Sequence, residues 1–362
     1  MNTIIRLFIA SLFSAVVFTA CGPGDSGSGG SGPCASSALP VIEITNNITS
    51  PAAWIKGNVY LIKKYDFYVM DTLTIEPGAI VKFHPDDGPY MILDSSNGRI
   101  VANGTSVDPI IFTSYKDDAH GGDTNDDCSA SSPAKGDWIS INTNGADASI
   151  FNYCEFYYGG GSGDNRALCI YYQTATVTNC IFAHNNSGKF DDFYFGALDA
   201  NLAETGTIIT GNTFYDNILP LSISSKINID DSNIFHSGAT GNTYNGIFLH
   251  AGDDFANNIT WAETEVAFVM YDNSLWVNSG CTLTLGNNVT IKFTANVLNL
   301  EDGDSAIANH NGAGVAFTSF KDDSRKGDTN GDGYSAGANG DWLGIYNDAA
   351  SVYVGWPTIW FN

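Results

Sequence analysis

The chain repeats itself, and that repeat limits the folds open to it. "TLTIEPGAIVKF" at 72–83 returns as "TLTLGNNVTIKF" at 282–293, and "FTSYKDD" at 112–118 as "FTSFKDD" at 317–323. "GDTNDD" at 122–127 returns as "GDTNGD" at 327–332, "NNIT" at 46–49 recurs at 257–260, and "GDW" at 136–138 recurs at 340–342. The two copies, 46–156 and 257–356, therefore differ by short loop deletions. Between them runs a shorter period. "TVTNCIFAHN" (176–185), "IITGNTFYDN" (208–217) and "DDSNIFHSG" (230–238) align on Phe182, Phe214 and Phe235, and "FNYCEFYY" (151–158) fits at Phe156. Two positions before each aromatic stand Cys154, Cys180, Asn212 and Asn233.

Short β-branched runs broken by Gly, Asn and Asp cannot bury a face alone. Stacked coils can, because each strand pairs in parallel with the coils above and below. The repeat predicts an all-β solenoid. The Asn/Cys column reads as a structural ladder at a turn with left-handed φ. The Phe column reads as an internal stack and not as a surface for sugars.

The chain has 15 Lys+Arg against 39 Asp+Glu, a formal net charge of -24. Such a surface repels nucleic acid and anionic lipid. It suits cations, neutral sugars or solubility. Hydrophobic residues at 43% are enough for a core, which excludes acidic disorder.

Residues 1–20 read as a signal peptide: Arg6 is followed by an apolar run, Leu7–Thr19, too short to span a membrane comfortably. The run ends in "FTAC", which resembles a bacterial lipoprotein box with Cys21 as the lipidated residue. Ordinary secretion with cleavage near Ala20 is the alternative. Gly22 in place of Asp favours the outer membrane by the same resemblance. Residues 21–33 then form the lipidated Cys and a Gly/Ser tether, and 34–362 the folded body. Export permits disulfides. Cys154 and Cys180, 26 residues apart, are expected in adjacent coils, either bridged or as a reduced stack.

"LTIEPGAIVKF", "GRIVANGTSVDPIIFTS", the "KDD…GDTN…GDW" loop and "ITGNTFYDN" together resemble the right-handed parallel β-helix lipoproteins and surface proteins of Gram-negative bacteria. The resemblance covers about 46–356. It implies a right-handed, single-stranded parallel β-helix with pectate-lyase-like architecture, and an outer-membrane lipoprotein facing periplasm or surface. It implies little about activity, since that architecture serves both enzymes and inert spacers.

The acidic loops carry the one metal-like spacing. Asp328, Asn330 and Asp332 alternate, and Gly333 follows, as a Ca²⁺ loop requires. Tyr334 would add a carbonyl, with Asp341 or the Asp322/Asp323 pair completing the shell. The first copy keeps Asp123, Asn125, Asp127 and Asp137 but has Cys128 for Gly, so a weaker or absent site is expected there.

Catalytic signatures are sparse. By resemblance to polygalacturonases a "GHG" and an "RIK" would be expected, and neither occurs. Arg166, in "GSGDNRALC" with Asp164, reads as a surface ion pair, and Asp191/Asp192, Asp230/Asp231 and Asp253/Asp254 as solvated turns. The favoured reading is a non-catalytic cell-envelope β-helix, structural or glycan-binding, with Ca²⁺-stabilised loops. The alternative is a lyase or hydrolase acting on an acidic polysaccharide. Expected partners are a polysaccharide or cell-surface ligand, with no nucleic acid and with membrane contact only through the lipid. Trp356, Trp360 and Phe361 form an apolar terminus, expected either to fold over the last coil or to mark a truncated sequence.

Overall fold

The computed structural model describes residues 39–362 apart from 85–89, 95, 146–147, 162, 164–165, 191–192, 250–253 and 272–273. The signal peptide, Cys21 and the tether lie outside the described residues. From Ala35 onward the chain forms one compact unit.

That unit is a parallel β-solenoid. Among the described residues a seven-stranded sheet runs from Val41–Ile44 through Ile80–Phe83, Ile110–Ser114, Cys154–Tyr157 and Ile181–Ala183 to Thr213–Tyr215. A six-stranded sheet ends at Ile208–Thr210, and a ten-stranded sheet extends from Asp66–Val69 to Ala316–Ser319. Pairing between coils is parallel and in register: Phe112 faces Phe156, Phe156 faces Phe182, and Phe182 faces Phe214. A period-2 side-chain pattern on stacked rungs places like above like. The Phe column is therefore a continuous stack. Phe112–Phe156, Phe156–Phe182, Phe182–Phe214 and Phe214–Phe235 have centroids 4.9, 4.6, 5.2 and 5.3 Å apart. All these rings are fully buried, in the stacked geometry that aromatic pairs favour.

The ladder beside it is as regular. The Cys180 N–H donates to Asn212 Oδ1 (2.9 Å), and the Asn212 N–H and Nδ2 both donate to Asn233 Oδ1 (3.1 Å each). Cys154 sits over Cys180, with its N–H 3.4 Å from the Cys180 sulfur. Both thiols are free and buried, the reduced form of the expected stack. One detail differs from the sequence reading. The left-handed residue is the one before the ladder position: Tyr153, Asn179 and Gly211, at φ of 47°, 55° and 68°. The bend is made there, which leaves the ladder amide free to point inward. A second ladder, Asn185 to Asn217 (2.9 Å) to Asn242 (3.0 Å), was not read from the sequence, because Asn242 lies seven residues after Phe235 while the others follow their Phe by three.

The two copies do not occupy the same faces. Ile80–Phe83 and Ile110–Ser114 belong to the seven-stranded sheet, whereas their counterparts Thr290–Phe293 and Ala316–Ser319 extend the ten-stranded one. Among the described residues only the ten-stranded sheet continues through the junction, by Leu221–Ile223 and Gly246–Leu249. The second copy is thus rotated by one face about the solenoid axis. At the far end the terminus folds back over the edge strand Ala316–Ser319. The Phe317 N–H donates to Thr358 O, and Trp360 N–H to Phe317 O, at 2.9 Å each. Trp356 stacks on His310 with centroids 4.0 Å apart. This arrangement is the lid, one of the two alternatives expected of the apolar terminus.

Glu263, in the turn before Ala267–Met270, is fully buried. One carboxylate oxygen accepts the Glu265 N–H at 2.6 Å and the other has no partner. Burial, with added repulsion from Asp231 and Glu265, pushes its pKa up from 4.5 to about 7. Its folded pKa lies above the unfolded one. Between pH 4.5 and 7 the unfolded chain ionises first and stability falls, and above pH 7 the loss is complete, about 3 kcal/mol. Glu263→Gln should therefore melt higher than wild type at pH 8 and level with it at pH 4. Parallel pH profiles of the two proteins would refute this.

Candidate metal centres in the repeated acidic loops

Each loop is rooted by the same contacts. Thr113 donates to Asp117 and Thr318 to Asp322, both at 2.6 Å. Asp137 takes a bond from Ser114 (2.7 Å) and an ion pair from Lys116 (3.0 Å), and Asp341 takes the equivalents from Ser319 and Lys321 at the same distances. Burial raises the Asp341 pKa, but the bonds from Ser319, the Ala338 N–H and Lys321 outweigh it and the net shift is downward. The neighbouring Trp138 stacks on Phe83 (4.3 Å) and Trp342 on Phe293 (4.1 Å). The recurring "GDW" is thus a closing clamp in which Asp gathers the loop ends and Trp plugs the core.

Beneath each loop lies a lysine the sequence reading passed over. Lys82 and Lys292 point outward from their strands yet are fully buried, because the loops fold back over them. Lys82 Nζ donates to Asp117 O (2.8 Å), Gly122 O (2.9 Å) and Thr124 Oγ (3.0 Å). Lys292 Nζ donates to Gly327 O (2.7 Å) and Thr329 Oγ (3.0 Å). Burial pulls both pKa values down to about 8, and nearby Asp carboxylates limit the fall. The available signal was a Lys at the same place, between a β-branched residue and Phe, in "IVKF" and "TIKF".

Above the lysines, carboxylates converge. Oxygens of Asp118, Asp123 and Asp127 lie within 4.8 Å of one another, and so do those of Asp323, Asp328 and Asp332. Tight turns bring them together. Asp328 accepts N–H bonds from Asn330 (3.1 Å), Gly331 (2.6 Å) and Gly333 (3.0 Å), while Asp123 accepts from Asp127 (3.3 Å) and Cys128 (3.0 Å). Gly331 and Gly333 have φ of 70° and 89°, and Asp126 and Cys128 take the same left-handed places at 54° and 58°. The first copy keeps the turn without glycine, and its Cys128 is disulfide-bonded. Three oxygens beside these groups are buried without a hydrogen-bond partner: Asp118 Oδ1, Asn125 Oδ1 and Asp323 Oδ1.

Of the residues singled out from sequence, Asp123, Asp127, Asp328 and Asp332 sit in the clusters. Asn125 and Asn330 each donate an amide N–H to the neighbouring Asp127 (2.8 Å) and Asp332 (2.9 Å). The Tyr334 side chain is 85% exposed and points away from the core. Asp137 and Asp341 are the clamp. The third carboxylate is Asp118 or Asp323, the second Asp of each "KDD".

The residues weighed for catalysis are committed elsewhere. Arg166 pairs with the buried Asp199 at 3.1 Å and lies 4.5 Å over the Phe195 ring; Asp164 is outside the described residues. Asp230 holds Ser232, Asp231 holds Thr264, and Asp254 accepts the Trp276 N–H. Asp191, Asp192 and Asp253 are outside the described residues.

No protein family, no curated protein and no solved structure matches this chain.

Lys82→Met or Lys292→Met should free its own loop while leaving the coils intact. Amide hydrogen exchange should accelerate at least about ten-fold in 117–124 or 322–329, the equivalent of ~1.4 kcal/mol of lost protection. Unchanged exchange there would show that the lysine does not hold the loop.

Proposed function

We propose that the protein is a non-catalytic, ligand-binding β-helix of the cell envelope, right-handed like the lipoproteins its sequence resembles, with divalent cations stabilising its acidic loops. The observation that carries the reading is the duplicated carboxylate triad with buried, unpartnered oxygens on Asp118 and Asp323. Carboxylates this close repel one another unless a cation sits among them. Calcium fits the donor set, which is all oxygen, flexible and partly supplied by backbone. Asp323, Asp328 and Asp332 would hold one ion, with Asn330 and the Tyr334 carbonyl within the same turn. Asp118, Asp123, Asp127 and Asn125 would hold the other. Because Asp126 and Cys128 adopt the turn as the glycines do, both copies are proposed to bind. The role is structural: the ion neutralises the upper side of a loop whose lower side rests on the lysine. The chain is proposed to be exported and held at the outer membrane by lipid on Cys21, with residues 22–33 as a spacer.

Calcium should raise the melting temperature and chelator should lower it, while Asp328→Ala with Asp332→Ala should remove about half the difference and the matching Asp123/Asp127 pair the rest. Melting indifferent to calcium and chelator would overturn the metal reading. For the anchor, Cys21→Ser should move the protein from the membrane fraction to the soluble one. A wild-type protein already soluble would dispose of it.

A further inference from the structure

Much of the solenoid's outer surface is covered by its own loops. The first acidic loop lies over the start of the seven-stranded sheet, with Gly121 against Val59 and Ile80. The second rests by Gly331 on Tyr244, beside the cluster of Tyr194, Phe248, Tyr271 and Phe320 that shields part of the ten-stranded sheet. On the strands Cys154–Tyr157, Ile181–Ala183 and Thr213–Tyr215 the first loop reaches Tyr157, whose ring stacks on His120 with centroids 5.3 Å apart. Alternation sends Cys154, Phe156, Phe182 and Phe214 inward, so Glu155, Ile181 and Thr213 share one outward row. That row lines a cavity of about 300 Å³, at the lower end of the range for small-ligand sites.

The chemistry of this cavity is specific. One wall is the turn column of Tyr153, Asn179 and Gly211, and one end carries Thr105 and Ser106. Past the row stands the buried Tyr157, its hydroxyl donating to Glu155 Oε2 at 3.0 Å. Beyond it, Tyr158, His184 and Asp216 occupy consecutive left-handed turns. The Tyr158 and His184 rings stack at 5.4 Å, and His184 bonds Asp216 at 2.6 Å. The nearby cation is spent: Lys135 is paired with Asp216 at 3.0 Å. The groove thus offers hydroxyls, an amide, one carboxylate, the apolar surface of Ile181 and the Tyr153 phenol, on rungs at the roughly 4.8 Å spacing.

We infer that this groove binds an uncharged oligosaccharide lying along the solenoid axis. Hydroxyl-rich rings would hydrogen-bond Glu155, Asn179 and Thr213, and lay apolar ring faces on Ile181 and Tyr153. A polyanion is disfavoured by Glu155 and by the net charge of -24. The inference rests on the ligand-binding reading but not on the metal sites, which lie in the loops.

The test is titration of the full-length protein, in calcium, with cellohexaose, mannohexaose, chitohexaose and hexagalacturonate. At least one neutral hexamer should bind with a sub-millimolar Kd, and hexagalacturonate should not. Glu155→Gln with Tyr153→Ala should weaken binding ten-fold or more, and Tyr153→Phe, which keeps the ring, should weaken it less. Circular dichroism and the calcium-dependent melting shift, read on the same samples, separate loss of this groove from failure of fold or of the metal reading. Three results would overturn the inference: no neutral hexamer binds, binding survives the double substitution, or only hexagalacturonate binds and Asp328→Ala abolishes it. A peptide that competes at the groove while no sugar binds would do the same.

Discussion

In-register pairing between successive coils is the constraint on which everything else rests. A parallel rung leaves each residue directly above its counterpart, so a side chain that packs well once packs well again one coil away. Phe112, Phe156, Phe182, Phe214 and Phe235 exploit this as a stack, and Asn212 and Asn233 exploit it as a hydrogen-bonded ladder. Each ladder amide does two jobs. Its oxygen accepts the N–H of the coil before, and its nitrogen donates to a backbone carbonyl, as Asn212 does to Val177 O at 2.9 Å. A shift of one residue would turn the Phe column to solvent and leave buried amides unpaired, at about 1–3 kcal/mol for each unsatisfied group. Register is therefore held along these columns rather than at one nucleus, although the pairing of Leu168–Tyr171 with Leu198–Leu202 shifts register after Cys169.

The loops solve a related problem by other means. They leave the sheet for more than twenty residues, where no ladder can hold them. Each is fastened from below by a buried lysine, at its base by the Asp of "GDW", and above by a carboxylate cluster that suits a cation. The lysine bonds backbone carbonyls and a threonine hydroxyl rather than a carboxylate. It acts as an internal positive charge around which the chain wraps, and burial draws its pKa down accordingly. The carboxylates of each cluster grade from the buried Asp123 and Asp323 to the half-buried Asp127 and the exposed Asp332.

The rotation of the second copy by one face means that duplication of sequence did not bring duplication of surroundings. The first acidic loop closes over the seven-stranded sheet and the second over the ten-stranded one. Local contacts survive the change, down to matched distances at Thr113 and Thr318. The neighbours do not: His120 of the first loop stacks on Tyr157 with centroids 5.3 Å apart, while Gly331 of the second rests on Tyr244.

The sequence alone determined the solenoid, because its periodicity is a direct image of coil stacking, and the Phe and Asn/Cys columns were legible for the same reason. It also marked Asp123, Asp127, Asp328 and Asp332, since one turn of backbone is enough to bring alternate residues together. Tertiary structure decided the rest. The sequence left Asp341 and the Asp322/Asp323 pair as alternatives; Asp323, like Asp118 in the first copy, joins the cluster because the loop folds back on itself, while Asp137 and Asp341 are drawn to the lysine and serine at its base. Lys82 and Lys292 look like exposed strand residues until the loop buries them. The outward groove at Glu155, Ile181 and Thr213 joins residues from three coils, 26 and 32 apart in sequence. No local pattern announces such a set, because what unites its members is the height of one rung and not any spacing along the chain.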